Sequence, residues 1–131
     1  PVLANAALEV ALDVMLKADM NEVRHKSQHM GNLFIQLIEQ RCPWFELGSP
    51  IDDDQRGSQV SLIHSQGYAI VQALIERNIV GDFRAPDNLR FGFTPLYLKY
   101  VDLWDTVEAL ADIMANELWK QPQFLLKQAV T

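Results

Sequence analysis

The stretch Asp82 to Tyr97, DFRAPDNLRFGFTPLY, constrains this chain more than any other. It reads as strand, tight turn, strand and exit. Asp82, Phe83 and Arg84 close one extended run. Ala85-Pro86-Asp87-Asn88 forms the turn, with Pro86 pre-setting φ at the first central position and Asp87 tolerating the second. From Asn88 the pattern alternates: Leu89, Phe91 and Phe93 point to one face, Asn88, Arg90 and Gly92 to the other. The first face belongs to a core. The second carries one cation beside a glycine that leaves space open. A guanidinium is costly to bury unless something anionic meets its planar fork of donors. Two readings of Arg90 therefore stand: an arginine that is exposed or paired with an internal carboxylate, or an anion site.

Size and charge narrow the class. At 131 residues and 14.9 kDa the chain makes one domain, and 49% hydrophobic residues are ample for its core. A net charge of −6 argues against nucleic acid and anionic membrane surfaces, which call for clustered Lys and Arg. Cys42 stands alone, so no intrachain disulfide forms, which suits a reducing compartment such as the cytoplasm. No run is long and uncharged enough to span a bilayer. Pro1 to Leu16 lacks a basic leader and carries Glu9 and Asp13, unlike a signal peptide. The absence of an initial Met fits processing, or a piece of a longer protein.

Along the chain, Val2 to Lys17 is expected to be a helix apolar nearly all round. This domain would cover one side and something else the other. Asp19 is a good N-cap for a second helix running to about Arg41, with Glu22 placed for a capping box and Pro43 barring continuation. Its stripe is Val23, Ser27, Met30, Leu33, Phe34, Leu37 and Ile38. His25 and His29, four apart after Glu22, could hold a metal. The sequence places no further ligand, so a solvated polar face is the preferred reading. Trp44 to Leu47 is a short strand, and the Asp52-Asp53-Asp54 loop lacks the alternate spacing of a calcium loop and reads as solvated. Ser58 to His64 alternates as a strand with Val60 and Leu62 on one face. Ser65 is expected to cap a helix from Gln66 to about Arg77, with Tyr68, Val71, Leu74 and Ile75 buried and Asn78 a left-handed stop. His64 reads as structural or exposed. Ile79 to Phe83 leads into the hairpin. A last helix runs from about Tyr100 to Trp119 on a stripe of Trp104, Val107, Leu110, Ala111, Met114 and Leu118. The tail, Phe124 to Val130, offers Phe124, Leu125 and Leu126 for docking.

The order helix, helix, strand, strand, helix, strand, strand, helix gives an α+β two-layer sandwich. Its small sheet is mostly antiparallel, its helices lie on one face, and N-terminal helices are added. No phosphate-binding glycine loop, nucleophile elbow or catalytic triad is evident. Motif chemistry alone stops at an acidic module with one arginine of interest.

The run from Arg56 to Leu110, RGSQVSLIHSQGYAIVQALIERNIVGDFRAPDNLRFGFTPLYLKYVDLWDTVEAL, closely resembles the C-terminal part of bacterial kynureninases, as do PVLANAALEVALDV and VRHKSQHMGNLFIQLIEQR before it. The resemblance covers nearly the whole chain, fading after Trp119, and GDFRAPDNLRFGFTPLY is its most specific part. It implies a hydrolase of tryptophan degradation that cleaves L-kynurenine to anthranilate and L-alanine, takes plain or 3-hydroxykynurenine, and works as a cytoplasmic homodimer. It also implies pyridoxal 5′-phosphate, in the aspartate-aminotransferase fold type, carried on a lysine of a large domain. Lys17, Lys26, Lys99, Lys120 and Lys127 match no such motif. The resemblance thus implies that residues 1–18 are a helix packed on that large domain and residues 19–131 the small C-terminal domain. These residues would hold no catalytic group, cofactor contact or metal, would be inactive alone, and would self-associate through the first helix. One role carries over: Arg90, in the LRFGF strand, corresponds to the arginine that binds the substrate's α-carboxylate. Arg84 is the weaker candidate. A noncatalytic amino-acid-binding or dimerisation module is the alternative, to be separated by the reading frame upstream of Pro1.

Overall fold

The computed structural model describes residues 1–126, so the predicted tail beyond Leu126, and Lys127 with it, lies outside the described residues. Helix α1 spans Val2–Met15, α2 Met20–Arg41, α3 Gly67–Glu76, α4 Tyr100–Ala115 and α5 Pro122–Leu125. Strands β1 (Glu46–Leu47), β2 (Gln59–Ile63), β3 (Asp82–Arg84) and β4 (Asn88–Gly92) form one sheet in the order β1-β2-β4-β3, each neighbouring pair antiparallel. This is the expected small α+β domain.

Alternation along the strands decides which face is covered. Val60, Leu62, Leu89 and Phe91 are buried, and α2 and α3 pack on them. Asp19 starts α2 as its spacing predicts, its Oδ1 accepting the Asn21 N–H at 2.8 Å. The α2 stripe brings Phe34 onto the sheet, its ring centroid 5.1 Å from that of Phe91 and 5.4 Å from that of Phe93. α3 crosses from β2 to β3 and ends at Asn78, whose φ of 61° is the expected left-handed stop. At its start, Gly67 sits against the hairpin: a Cβ there would fall 2.9 Å from Leu89 Cδ1 and 3.2 Å from the Asp87 carbonyl oxygen. Gly67→Ala is therefore expected to destabilise by about 1–3 kcal/mol, read by urea denaturation. An unchanged midpoint would mean that the contact yields freely.

Several details differ from the sequence reading. The α3 N-cap is Gln66, not Ser65, and makes no side-chain cap bond; just before it the His64 Nδ1 accepts the Gln66 N–H at 3.0 Å, while the His64 backbone N–H donates to the Asp87 carbonyl at 2.9 Å. Burial against Phe45 and Trp119 lowers the pKa of this imidazole. The buried stripe of α3 is Ala69, Ile70, Val71, Ala73 and Leu74, with Ile75 exposed; that of α4 is Leu103, Val107, Leu110, Ile113 and Met114, with Trp104 lying under the Arg41 guanidinium. α4 also stops at Ala115, before a 3-10 turn at Leu118–Lys120. The Ala85–Pro86 peptide is cis, which a proline at the first central position of the turn did not anticipate. Phe124 of the tail docks and is buried, whereas Leu125 and Leu126 are exposed. α1 has no buried residue, so this domain does not cover even one side of it.

Cys42 closes α2 and is fully buried, its Sγ 3.7 Å from the Val107 carbonyl oxygen. Burial, only partly opposed by Arg41, pushes the thiol from 9.0 up to about 11. Because the folded thiol titrates higher than the unfolded one, its contribution to stability is whole below the unfolded value and is lost as pH rises through about 11. The loss should reach on the order of 2–3 kcal/mol. Denaturation midpoints between pH 8 and 11, with Cys42→Ala as control, would read it; a profile unchanged by that substitution would refute it.

Candidate functional site

The candidate site lies on the sheet face opposite the core. β4 runs between β2 and β3, so Arg90 has a cross-strand neighbour on each side: Ser61 on β2 and Asp82 on β3. Arg90 is the sequence's candidate, and it is neither buried nor loose, with 30% of its side chain exposed. Its Nε donates to Asp82 Oδ2 at 2.9 Å and its Nη2 donates to the same oxygen. Asp82 Oδ2 also faces Arg84 Nε at 3.3 Å, across a more open pair. The bonded Arg90 guanidinium holds the Asp82 carboxyl below the usual carboxylate range, with Arg84 adding to the effect and partial burial opposing it. One carboxylate thus stands between two cations, leaving the trio one positive charge. That balance can accept one further carboxylate without stranding a charge.

The surroundings of Arg90 are small or open. Ser61 is buried, its N–H donating to Ser49 Oγ at 2.8 Å and its Oγ accepting from Gln59 Nε2 at 3.3 Å. At Gly92, two residues along on the same face, a Cβ would meet nothing within 4 Å. A cleft of about 380 Å³ opens from Gly92 toward α4, lined by Phe34, Phe91, Phe93 and Leu98 with Asp102 and Asp105 at its polar side. Arg90 does not line it, and the Asp102 carboxylate already accepts the Lys99 N–H at 2.7 Å. The cleft borders the candidate site and is not the site itself.

The other sequence candidates do not assemble. His25 and His29 are both exposed on α2. Among the described residues the one close group of three possible metal ligands is Asp52, Asp53 and Asp54. These acids have protein partners: Asp53 accepts from Asn32 at 2.7 Å and Gln28 at 3.2 Å, and Asp52 caps the 3-10 turn at Asp53–Gln55. The loop is therefore docked onto α2, where the sequence suggested solvation. What sequence reasoning missed is Arg56, a buried cation whose Nη1 donates to the carbonyls of Pro50 at 2.7 Å and Ile51 at 2.6 Å, while its Nη2 donates to Asn32 Oδ1. Arg24 adds bonds to the carbonyls of Arg56 at 2.9 Å and Asp53 at 2.7 Å. Every acceptor here is a neutral oxygen of the chain, so the network binds the loop. Only the polar residues at i, i+4 and i+8 on α2 (Arg24, Gln28 and Asn32) hinted at it.

A family model described as the kynureninase C-terminal domain matches residues 23–110. A curated relative called kynureninase, from Burkholderia mallei (strain SAVP1), is 45% identical over 133 residues, covering 100% of this chain and 32% of its own. One from Pseudomonas fluorescens, also called kynureninase, is 44% identical with the same coverage. The chain spans about a third of the length of these relatives.

Proposed function

This chain belongs to the kynureninase family through its C-terminal domain, and from that premise we propose that it is the small domain of a kynureninase in which Arg90 binds the α-carboxylate of the substrate. The reaction is hydrolysis of L-kynurenine, or its 3-hydroxy form, to an anthranilate and L-alanine, in a cytoplasmic homodimer. The observation that carries the assignment is the position of Arg90. It sits on an interior strand, on the uncovered face, partly exposed beside open space, with a guanidinium already oriented by a carboxylate. An anion meeting that fork gains two charge-assisted hydrogen bonds in a fixed plane. Arg90 would thereby fix the amino acid's Cα in space, a contribution of positioning and not of bond-breaking.

The family implies pyridoxal phosphate, which needs a lysine amine able to condense with its aldehyde and a cup of donors for its phosphate. The described residues do not fit that group. Lys26 Nζ donates to the carbonyls of Pro95 at 2.6 Å and Leu98 at 2.9 Å, Lys120 pairs with Glu117 at 2.5 Å, and Lys17, just past α1, and Lys99, at the start of α4, are exposed. The 131-residue polypeptide is therefore expected neither to bind the cofactor specifically nor to release anthranilate. Absorbance titration with pyridoxal phosphate and anthranilate fluorescence check this, and turnover above the cofactor-only rate would overturn it. The carboxylate assignment itself is tested by kinetics of Arg90 variants in the full-length protein.

In the same reading α1 packs on the remainder of the longer protein, and residues 19–131 are the small domain. Its apolar surface supports this: Leu3 is 87% exposed, Val10 66% and Leu16 82%. Leaving large apolar side chains wet forfeits roughly 1.5–3 kcal/mol each. The 131-residue chain is expected to self-associate in sedimentation experiments, and a version starting at Ala18 to be monomeric. Monomers in both cases would sink the idea.

A further inference from the structure

Asp82 does more to Arg90 than neutralise it. The two residues are directly opposite in the β3–β4 register, and a single carboxylate oxygen, Oδ2, takes the Nε and Nη2 donors of the guanidinium. The Nε–Nη2 edge of the fork is therefore occupied by protein. Nη1 has no partner among the described residues, so the Nη1–Nη2 end remains for a ligand. The pair is also open to solvent, with 51% of the Asp82 side chain exposed, and such pairs add little to folding stability. We propose that Asp82 is a positioning residue of the carboxylate site: it locks the plane of Arg90, and the substrate carboxylate enters end-on against Nη1 and Nη2. This inference rests on Arg90 being the carboxylate arginine.

The alternative chemistry is competition. If an incoming carboxylate had to displace Asp82, removing Asp82 would free the fork and raise the local positive charge, and binding would tighten. The positioning reading gives the opposite sign. A released guanidinium on a flexible stem must be ordered again at each binding event, and binding weakens.

The test uses the full-length protein and two probes carrying an α-carboxylate, L-kynurenine as substrate and L-alanine as inhibitor. Asp82→Asn keeps the shape and removes the charge. It should raise KM for L-kynurenine and the inhibition constant of L-alanine on the order of tenfold, with kcat nearly unchanged. Asp82→Glu, which keeps the charge, should recover part of the loss. In an Arg90→Ala background Asp82→Asn should add nothing. The melting temperature of Asp82→Asn should move by no more than roughly a few degrees, which separates positioning from a folding defect. A readout independent of turnover is the Arg90 Nε–H resonance in arginine-labelled 131-residue chain, expected to exchange slowly in the parent and rapidly in Asp82→Asn. Unchanged or tighter L-alanine binding in Asp82→Asn, while Arg90→Ala is severely impaired, overturns this inference alone. A silent Arg90→Ala overturns the carboxylate assignment beneath it and this inference with it.

Discussion

Arg90→Ala in the full-length protein is expected to lower kcat/KM for L-kynurenine by roughly a hundred- to several-thousand-fold. That range follows from losing a pair of charge-assisted hydrogen bonds worth together about 3–5 kcal/mol, at about 1.4 kcal/mol per decade of rate. Alanine also leaves Asp82 with Arg84 alone, so the trio loses its net positive charge as well as its fork. Arg90→Lys should recover little, because an ammonium offers a point charge and cannot hold Asp82 and a ligand in one plane. The absorbance of bound cofactor should stay near that of the parent in both variants. A loss under tenfold in Arg90→Ala refutes the assignment. Loss of cofactor together with activity would make Arg90 a structural residue.

Phe34→Ala is expected to cost about 3–5 kcal/mol of folding stability, measured by urea denaturation of the 131-residue chain. Phe34 is 1% exposed and its ring meets both Phe91 and Phe93, so it joins the longest helix to the strand that carries Arg90. Truncation would leave a cavity walled by two aromatic rings and the sheet, neither of which collapses easily. Against a typical domain stability of about 5–15 kcal/mol, such a loss leaves the fold marginal. Phe34→Leu keeps much of the volume and should cost roughly 1–2 kcal/mol. A change below about 1 kcal/mol in Phe34→Ala would mean that α2 is held to the sheet by other contacts.

Much of this arrangement was legible in the residues because it rests on local rules. The alternation of Leu89, Phe91 and Phe93, the Asp19 cap and the Asn78 stop each depend on a few adjacent positions, and each is found in the structure. Helix phase was less legible. In α3 and α4 apolar residues adjoin one another, so Ile70 and Ile75, or Leu103 and Trp104, competed for the same stripe, and packing chose Ile70 and Leu103. The docking of the Asp52–Asp54 loop and the burial of Arg56 were not legible. Hydrogen bonds from side chains to carbonyls distant in sequence leave no periodic trace. The Asp82–Arg90 pair lies between these cases. Both residues fall in the predicted hairpin, but their partnership depends on the register across the turn, which places Arg84 opposite Asn88 and hence Asp82 opposite Arg90.

The position of β4 between β2 and β3 has a kinetic consequence. Asp82 and Arg90 lie eight residues apart across one short turn, so bringing them together costs little loop-closure entropy. Ser61 reaches Arg90 only after the chain has returned through α3, and closing that longer loop carries an entropic cost before any contact rewards it. The Arg90 counter-charge is thus the local contact and its Ser61 flank the distant one, and a folding nucleus that includes β3 and β4 would join the first before the second.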